Sequence, residues 1–350
     1  MQESQTPEIL EHKSPCLSEL ETGNSLQSVS VIVLNWNQKK LLNNCLESVL
    51  NTDYSEMEII VSDNGSTDGS VKMVKKNFAN VVLIENNANL GFCEGNNIAI
   101  KRAKGDIIVL LNNDTWVDKN WINEIVNAAS DSKVGIVGCK LLFVGTNVIQ
   151  SLGYRSNLLG HYVNRGLLEI NDGKYDNEEV ADVDYVSGAA LAIKRLVVDA
   201  VGFLDPMFYA YFEDVDWCYR VKELGYKVVV AQKAVVHHCG SVSWNSLSFK
   251  KVYLTERNRF LFIFKHYSGL NLLRALTFHE FKSALRLIRD KLSVKDLTVN
   301  LVTHKTGKPR DLKKRSKYYE LAKAILDWIG AKSLAYFSIP FILFSLRKKD

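Results

Sequence analysis

The sequence has no C-x-x-C pair: Cys16, Cys45, Cys93, Cys139, Cys218 and Cys239 are scattered along it. Such spacing fits neither a zinc site nor a disulfide framework, and it makes a reducing cytosol the expected compartment. No stretch reaches the ~18 uninterrupted apolar residues of a membrane-spanning helix. The nearest, 333–346, is shorter and contains Pro340. The first 28 residues lack the apolar run of a secretory signal, and 1–27 reads as a loose N-terminal extension. The glycine-rich fingerprints of dinucleotide folds and phosphate-binding loops are missing, which disfavours NAD and ATP-type sites. No RNA or DNA module accompanies the basic residues, so nucleic acid is not an expected partner.

What is present is enough for a large core, since 47% of the 350 residues are apolar. The net charge of +5 conceals a split: residues 250–350 hold 23 Lys and Arg against 8 Asp and Glu, leaving the rest of the chain acidic. An acidic body with a basic tail suggests a different partner for each part.

Along the body, β-branched apolar runs alternate with segments of helical periodicity. Val29–Leu34 is followed by apolar residues from Leu41 to Leu50, and 58–62 by a helix near Ser70–Phe78. A third strand at 81–84 precedes a helix expected over Asn96–Ala103, and 106–111 reads as a buried parallel strand. Alternation over about 110 residues predicts an open, mostly parallel α/β sheet, whose ligands sit beyond the carboxyl ends of the strands. Those ends read Asn35-Trp36-Asn37, Asp63-Asn64-Gly65-Ser66, Asn86 to Gly91 and Asn112-Asn113-Asp114-Thr115. Each is ordinary turn chemistry taken singly. Four on one rim supply the row of small donors and acceptors that a ligand with base, ribose and phosphates requires.

Asp114 is the only charge closing its strand, where one carboxylate can anchor a hydrated divalent cation; helix capping is its plain alternative. Further on, Ser187-Gly188-Ala189-Ala190 places small side chains in a strand-like run, suited to a ligand's close approach or to tight packing. Residues 143–179 suit loops that shape a variable pocket. Phe212-Glu213-Asp214-Val215-Asp216-Trp217 then opens a helix. Acids in a first turn ordinarily cap it; beside apolar walls, one can also serve as a general base. Asp216 is placed to pair with Arg220 one turn on.

Read together, these blocks resemble an inverting glycosyltransferase of family 2, in its bacterial rhamnosyltransferase-like branch. The resemblance runs from Val29–Asn37 through Ser62–Ser70, Asn89–Phe92, Gly95–Asn97, Leu110–Thr115, Val186–Ala189 and Tyr211–Asp216 to His237 and Glu256–Arg259, covering roughly residues 28–265. It implies a GT-A-type, mostly parallel nucleotide-binding sheet flanked by helices over 28–249, a UDP- or dTDP-sugar donor, and Mg2+ or Mn2+. It also implies roles. Asp214 would be the base with Glu213 its modulator, and Asn35, Asn37, Asp63, Asn64, Gly91, Asn96 and Asn113 would bind the donor. Asp114 and His237 would hold the metal, with Asn112 standing where the family's D-x-D motif has its first acid and His238 left open as the ligand instead. Gly188, Ala189 and Trp217 would face the acceptor.

Residues 250–350 read as a helical, basic, amphipathic region, with Leu273, Leu276, Phe281, Leu285 and Leu292 on one stripe and Lys313–Lys317 a basic cluster. That combination suits an anionic membrane surface carrying a glycan or polyisoprenoid-linked acceptor, and hence a peripheral place on the inner face of the cell membrane. A helical cap on the main domain is the other reading. For the whole chain, a non-catalytic nucleotide-sugar-binding subunit that recruits a partner is the alternative to an enzyme of cell-surface polysaccharide assembly.

Overall fold

In the computed structural model, residues 27–156, 162–176, 178, 180–240, 248–276 and 330–347 are described. Strand β1 (Val29–Asn35), helix α1 (Lys39–Leu50), β2 (Met57–Asp63), α2 (Ser70–Asn77), β3 (Val82–Glu85), α3 (Gly91–Ile100) and β4 (Ile107–Asn112) form the alternating first half. Then follow β5 (Thr115–Val117), α4 (Trp121–Ala129), β6 (Val134–Phe143), the short strands β7 (Ile149–Ser151), β8 (Tyr154–Ser156), β9 (Tyr162–Asn164) and β10 (Val180–Val183), and β11 (Ala190–Lys194). Helices α5 (Arg195–Val201) and α6 (Glu213–Glu223), strand β12 (Lys227–His238) and helix α7 (Phe249–His266) complete the body.

The main sheet runs β10-β12-β6-β11-β4-β1-β2-β3, with β5 on β12 and β7 on β6. β1 to β4 are mutually parallel, as the strand–helix alternation requires, and apart from Ser30 and Asn35 the buried residues of β1 and β4 are apolar. One apolar layer joins α1, α2 and α4 to the sheet through Leu42, Leu46, Met73 and Trp121. The other joins α3, α5, α6 and α7 through Cys93, Val197, Trp217 and Phe260.

Register brings the site to one rim. Asn35 is paired with Asp63, and Leu34 with Asn112, so the carboxyl ends of β1, β2 and β4 are level. β11 runs antiparallel to β4, with Ala190 opposite Leu111, so the residues just before β11 emerge at that rim as well. β12 ends there on the far side, with His238 opposite Thr115 of β5.

Helix α3 begins at Gly91, five residues before the expected Asn96, and ends at Ile100. Gly91, Gly95, Asn96 and Asn97 have low helix propensity. Tertiary contact compensates: the Tyr209 carbonyl accepts the Phe92 and Cys93 amides at 2.7 and 3.1 Å, satisfying two donors that a first turn leaves free.

Among the described residues, no helix is long and apolar enough to cross a membrane. Residues 1–26 and most of the amphipathic tail stripe, including Phe281, Leu285, Leu292 and the cluster Lys313–Lys317, lie outside the described residues. The helix Ile339–Arg347 packs on α7.

Candidate functional site

A cleft of about 300 Å3 opens on the rim. It is lined by Asn112, Asn113 and Asp114 at the end of β4, by His238 at the end of β12, and by Tyr209, Tyr211, Glu213 and Asp214 before and at the start of α6. Trp36, Asn64, Asn89, Gly91, Phe92 and Ser187-Gly188-Ala189 complete the lining. Of the expected donor set, Asn64, Gly91 and Asn113 reach the cleft.

Asn35 and Asp63 do not; they lie one layer beneath, buried at 0% and 1% exposure. Asn113 donates to Asn35 Oδ1 at 2.7 Å and Asn35 donates to Asp63 Oδ2 at 2.8 Å, while Asp63 Oδ1 accepts the Ser66 amide at 2.8 Å. This chain ties three strand ends together and fixes the orientation of Asn113. Asn37, with φ at 52°, clasps the next loop by accepting the Thr67 amide at 2.7 Å. Asn96 is corrected outright: it is buried and donates to the Phe92 carbonyl at 2.9 Å within its own helix, away from the cleft.

Trp217 is corrected too. It is fully buried, and its indole nitrogen donates to the Gly202 carbonyl at 2.9 Å. Only the first turn of α6 meets the cleft, so a residue one turn further along is carried into the core. Gly188 and Ala189, expected on the acceptor side, line the cleft.

The acid pair is held by backbone. Asp214 is half-buried, and its Oδ2 and Oδ1 accept the Gly188 and Val215 amides at 3.0 and 2.9 Å. Burial nevertheless raises its affinity for a proton against those two amides. Glu213 is 6% exposed, and burial followed by the adjacent Asp214 charge lifts its carboxyl well above the ordinary range. Its Oε2 is buried with no hydrogen-bond partner among the described residues. Two neighbouring acids with raised proton affinity suit acid–base work better than capping, which favours the ionised form.

Asp216 behaves differently, as its expected pairing with Arg220 requires. Fully buried, it accepts from Arg220 Nε at 2.8 Å, Lys265 Nζ at 2.8 Å and His266 Nε2 at 2.7 Å. Burial alone would raise its pKa, but these three partners outweigh it and hold the carboxyl below the ordinary range. Asp216 therefore joins α6 to α7 and has no place in the cleft.

The two histidines diverge. His237 Nε2 lies 3.4 Å from Asp118 Oδ1, outside the cleft, whereas His238 Nε2 lies 3.3 Å from Asp114 Oδ1 inside it. His238, not His237, is thus brought to Asp114. Gln150 Oε1 lies 2.7 Å from His238 Nδ1 and orients the ring, so that Nε2 faces Asp114. An imidazole nitrogen and a buried carboxylate oxygen 3.3 Å apart can serve as two ligands of one cation. Among the described residues there is no group of three or more His, Cys, Asp or Glu able to hold a metal. One carboxylate and one imidazole still fit Mg2+ or Mn2+, which keep water and bind phosphate oxygens at their remaining positions.

The loop before α6 is strained. Tyr209, Tyr211 and Phe212 have φ of 63°, 72° and 69°, half of the six non-glycine residues with positive φ among those described. Each such residue costs on the order of 1–2 kcal/mol, and clustering of this kind marks functional sites. Gly91 makes room for it: a Cβ there would lie 2.5 Å from the Tyr209 ring. Sequence periodicity gave no sign of this strain, nor of Gln150 as the partner of His238.

Residues 30–185 match the family model described as Glycosyl transferase family 2. The chain is 28% identical over 220 residues to the O-antigen biosynthesis protein RfbC of Myxococcus xanthus, covering 60% of this chain and 17% of that one. It is 25% identical over 242 residues to the low-salt glycan biosynthesis hexosyltransferase Agl10 of Haloferax volcanii, covering 67% and 75%. The chain thus spans a quarter or less of two curated relatives it matches, 17% of the Myxococcus protein and 25% of a Sinorhizobium fredii protein. Among solved structures it resembles the mannosyltransferase PcManGT of Pyrobaculum calidifontis, determined with GDP-Man and Mn2+. The TM-score is 0.54 at 16% identity, over 90% of this chain and 88% of that one. The fold is of the GT-A type.

Proposed function

We propose, from the family 2 match over residues 30–185 and the cleft geometry, that this chain is an inverting, metal-dependent glycosyltransferase. It would move a sugar from a nucleotide-sugar donor to a hydroxyl of a glycan or lipid-linked acceptor in polysaccharide assembly. The observation that carries the reading is one cleft lined both by Asp114 and His238 and by the acid pair Glu213 and Asp214. Names among the relatives, O-antigen and glycan biosynthesis, support the pathway class.

Asp214 is the base. A sugar hydroxyl is a weak nucleophile, so its proton must pass to a carboxylate as the oxygen attacks the anomeric carbon. The Gly188 and Val215 amides fix the Asp214 carboxylate in place, and burial raises its proton affinity. Glu213 beside it discourages a second negative charge. Attack from the Asp214 side, with the diphosphate leaving toward Asp114 and His238, is a single displacement and inverts the anomeric centre. A divalent cation held by Asp114 and His238 would neutralise charge on the departing diphosphate. Asn64, Gly91 and Asn113 offer the polar contacts for the nucleotide. An acid pair kept at the cleft favours turnover over the role of a non-catalytic binding subunit.

Purified protein tests this directly. Thermal unfolding with UDP-, dTDP- and GDP-sugars, each with and without Mn2+, should show stabilisation by one nucleotide class and only with metal. The product's anomeric configuration, read by NMR, should be opposite to the donor's. Stabilisation by no nucleotide sugar under any metal condition would end the proposal.

The membrane reading rests on Phe337 and Phe341, 81% and 71% exposed near the chain's basic end. Such aromatic faces bind anionic lipid surfaces. Replacing both by Ser should weaken flotation with phosphatidylserine vesicles, leaving nucleotide binding unchanged; equal flotation of both proteins would reject lipid contact through this face.

A further inference from the structure

Glu256-Arg257-Asn258-Arg259 lies on α7, outside the cleft, and nothing above gives it a role. Asn258 is fully buried. Its Nδ2 donates to the carbonyls of Phe208, Ala210 and Tyr211 at 2.8, 2.8 and 2.6 Å. Two amide hydrogens thus serve three carbonyls of the segment that leads into Glu213 and Asp214. The amide's orientation is itself fixed: Arg257 Nε and Nη2 reach Asn258 Oδ1 at 2.8 and 2.5 Å, and arginine only donates. Arg257 Nη2 also donates to the carbonyls of Met207 and Phe208 at 2.7 and 2.9 Å. Between them, the two side chains engage four of the five carbonyls from Met207 to Tyr211.

This is the stretch that holds left-handed backbone at Tyr209 and Tyr211, without glycine at either position. A chain left alone would relax those dihedrals. The one carbonyl not held by α7, that of Tyr209, accepts the Phe92 and Cys93 amides instead. The segment is therefore fastened on two sides, by α7 and by the first turn of α3.

We infer that Asn258, oriented by Arg257, is a positioning residue: it holds the strained 208–211 backbone so that Glu213 and Asp214 sit in the cleft in working geometry. The inference rests on the transferase reading for its kinetic consequence but not for its structural one. Misplacement of a reacting group by about 1 Å costs about 100-fold in rate.

The test compares wild type, Asn258→Ala and Arg257→Lys in the full chain. Asn258→Ala should lower kcat at least about tenfold, with the donor's KM and nucleotide affinity within about threefold, because the hydrogen bonds of Asn258 go to Arg257 and to the 208–211 backbone rather than to Asn64, Gly91 or Asn113. Hydrogen exchange should speed at Phe92 and Cys93, whose amides depend on the Tyr209 carbonyl, and stay unchanged in β1 and β4. Arg257→Lys keeps the charge but loses the two-point hold on Asn258 Oδ1, so it should shift both readouts the same way, less far. It decides the matter should the alanine variant not fold. Unchanged kcat, or unchanged exchange at Phe92 and Cys93, would overturn the inference. If wild type transfers no sugar, the proposed function fails, while the exchange comparison still accepts or rejects the hold on the segment.

Discussion

Asp214→Asn should reduce transfer by about a thousandfold, the middle of the range for loss of a general base, while binding of the nucleotide sugar survives. The substitution keeps shape and one oxygen that can still accept the Gly188 or Val215 amide, so the loop need not move. What disappears is a group able to take the acceptor's proton at the moment of attack. The pH dependence follows from the same environment. Burial raises the proton affinity of Asp214, and a base works only when deprotonated. Wild-type kcat/KM should therefore climb with pH through a value above the ordinary carboxylate pKa of about 3.9, and this limb should vanish in the variant. Isothermal titration with the nucleotide and a transfer assay on the same preparation separate the two effects. Full activity in Asp214→Asn would remove Asp214 from the mechanism and point to Glu213, the neighbouring acid in the cleft, in its place.

Asp114→Ala should be nearly as damaging, by about 100-fold in transfer, with loss of the metal-dependent part of nucleotide binding. Asp114 is 4% exposed, and its Oδ1 lies 3.3 Å from His238 Nε2, where it would supply the carboxylate of the proposed two-residue metal site. Chelation of wild type with EDTA should reproduce the defect, and Mn2+ should restore wild type but not the variant. The histidines provide an internal control, since they are adjacent in sequence but face different carboxylates. His238→Ala should follow Asp114→Ala in direction, and His237→Ala should resemble wild type. Equal loss in both histidine variants would contradict the geometry, because His237 Nε2 is directed at Asp118. Metal-dependent nucleotide stabilisation that persists in Asp114→Ala would place the cation elsewhere.

Much of this site is legible in residue order because open α/β sheets concentrate ligand contacts at the carboxyl ends of their strands. Once Val29–Leu34 and Ile107–Leu111 are recognised as buried strands, Asn35, Asn113 and Asp114 must lie near one rim. Distance from the cleft is another matter. Asn35, Asp63 and Asn113 are equally polar strand ends, yet only Asn113 lines the cleft while the other two support it from below. A one-dimensional pattern assigns a residue to an end of the sheet, and layer depth depends on how neighbouring ends stack.

The histidine pair shows the same limit more sharply. In β12, Val229 and Ala231 face one apolar layer, but beyond the bulge between Ala231 and Val235 it is Ala234 and Val236 that face it. The bulge exchanges odd for even, so strict alternation selects His237 where the folded strand presents His238.

The acid stretch Phe212–Trp217 divides the two kinds of information cleanly. The sequence by itself determined that Glu213, Asp214 and Asp216 open a helix and that Asp216 has Arg220 one turn away, because helical spacing is a local property. Only the tertiary structure decided their roles. Partial burial at the cleft and the amide of Gly188, just before β11, define the environment of Asp214, while Lys265 and His266 of α7 complete the neutralisation of Asp216. Likewise, the left-handed backbone of Tyr209, Tyr211 and Phe212 is held by more than the local bond from the Ala210 amide to the Phe208 carbonyl. Its partners stand nearly fifty residues later at Arg257 and Asn258 and over a hundred earlier at Phe92 and Cys93. Proton affinity and backbone strain are set by what surrounds a group in space, and folding alone brings those surroundings together.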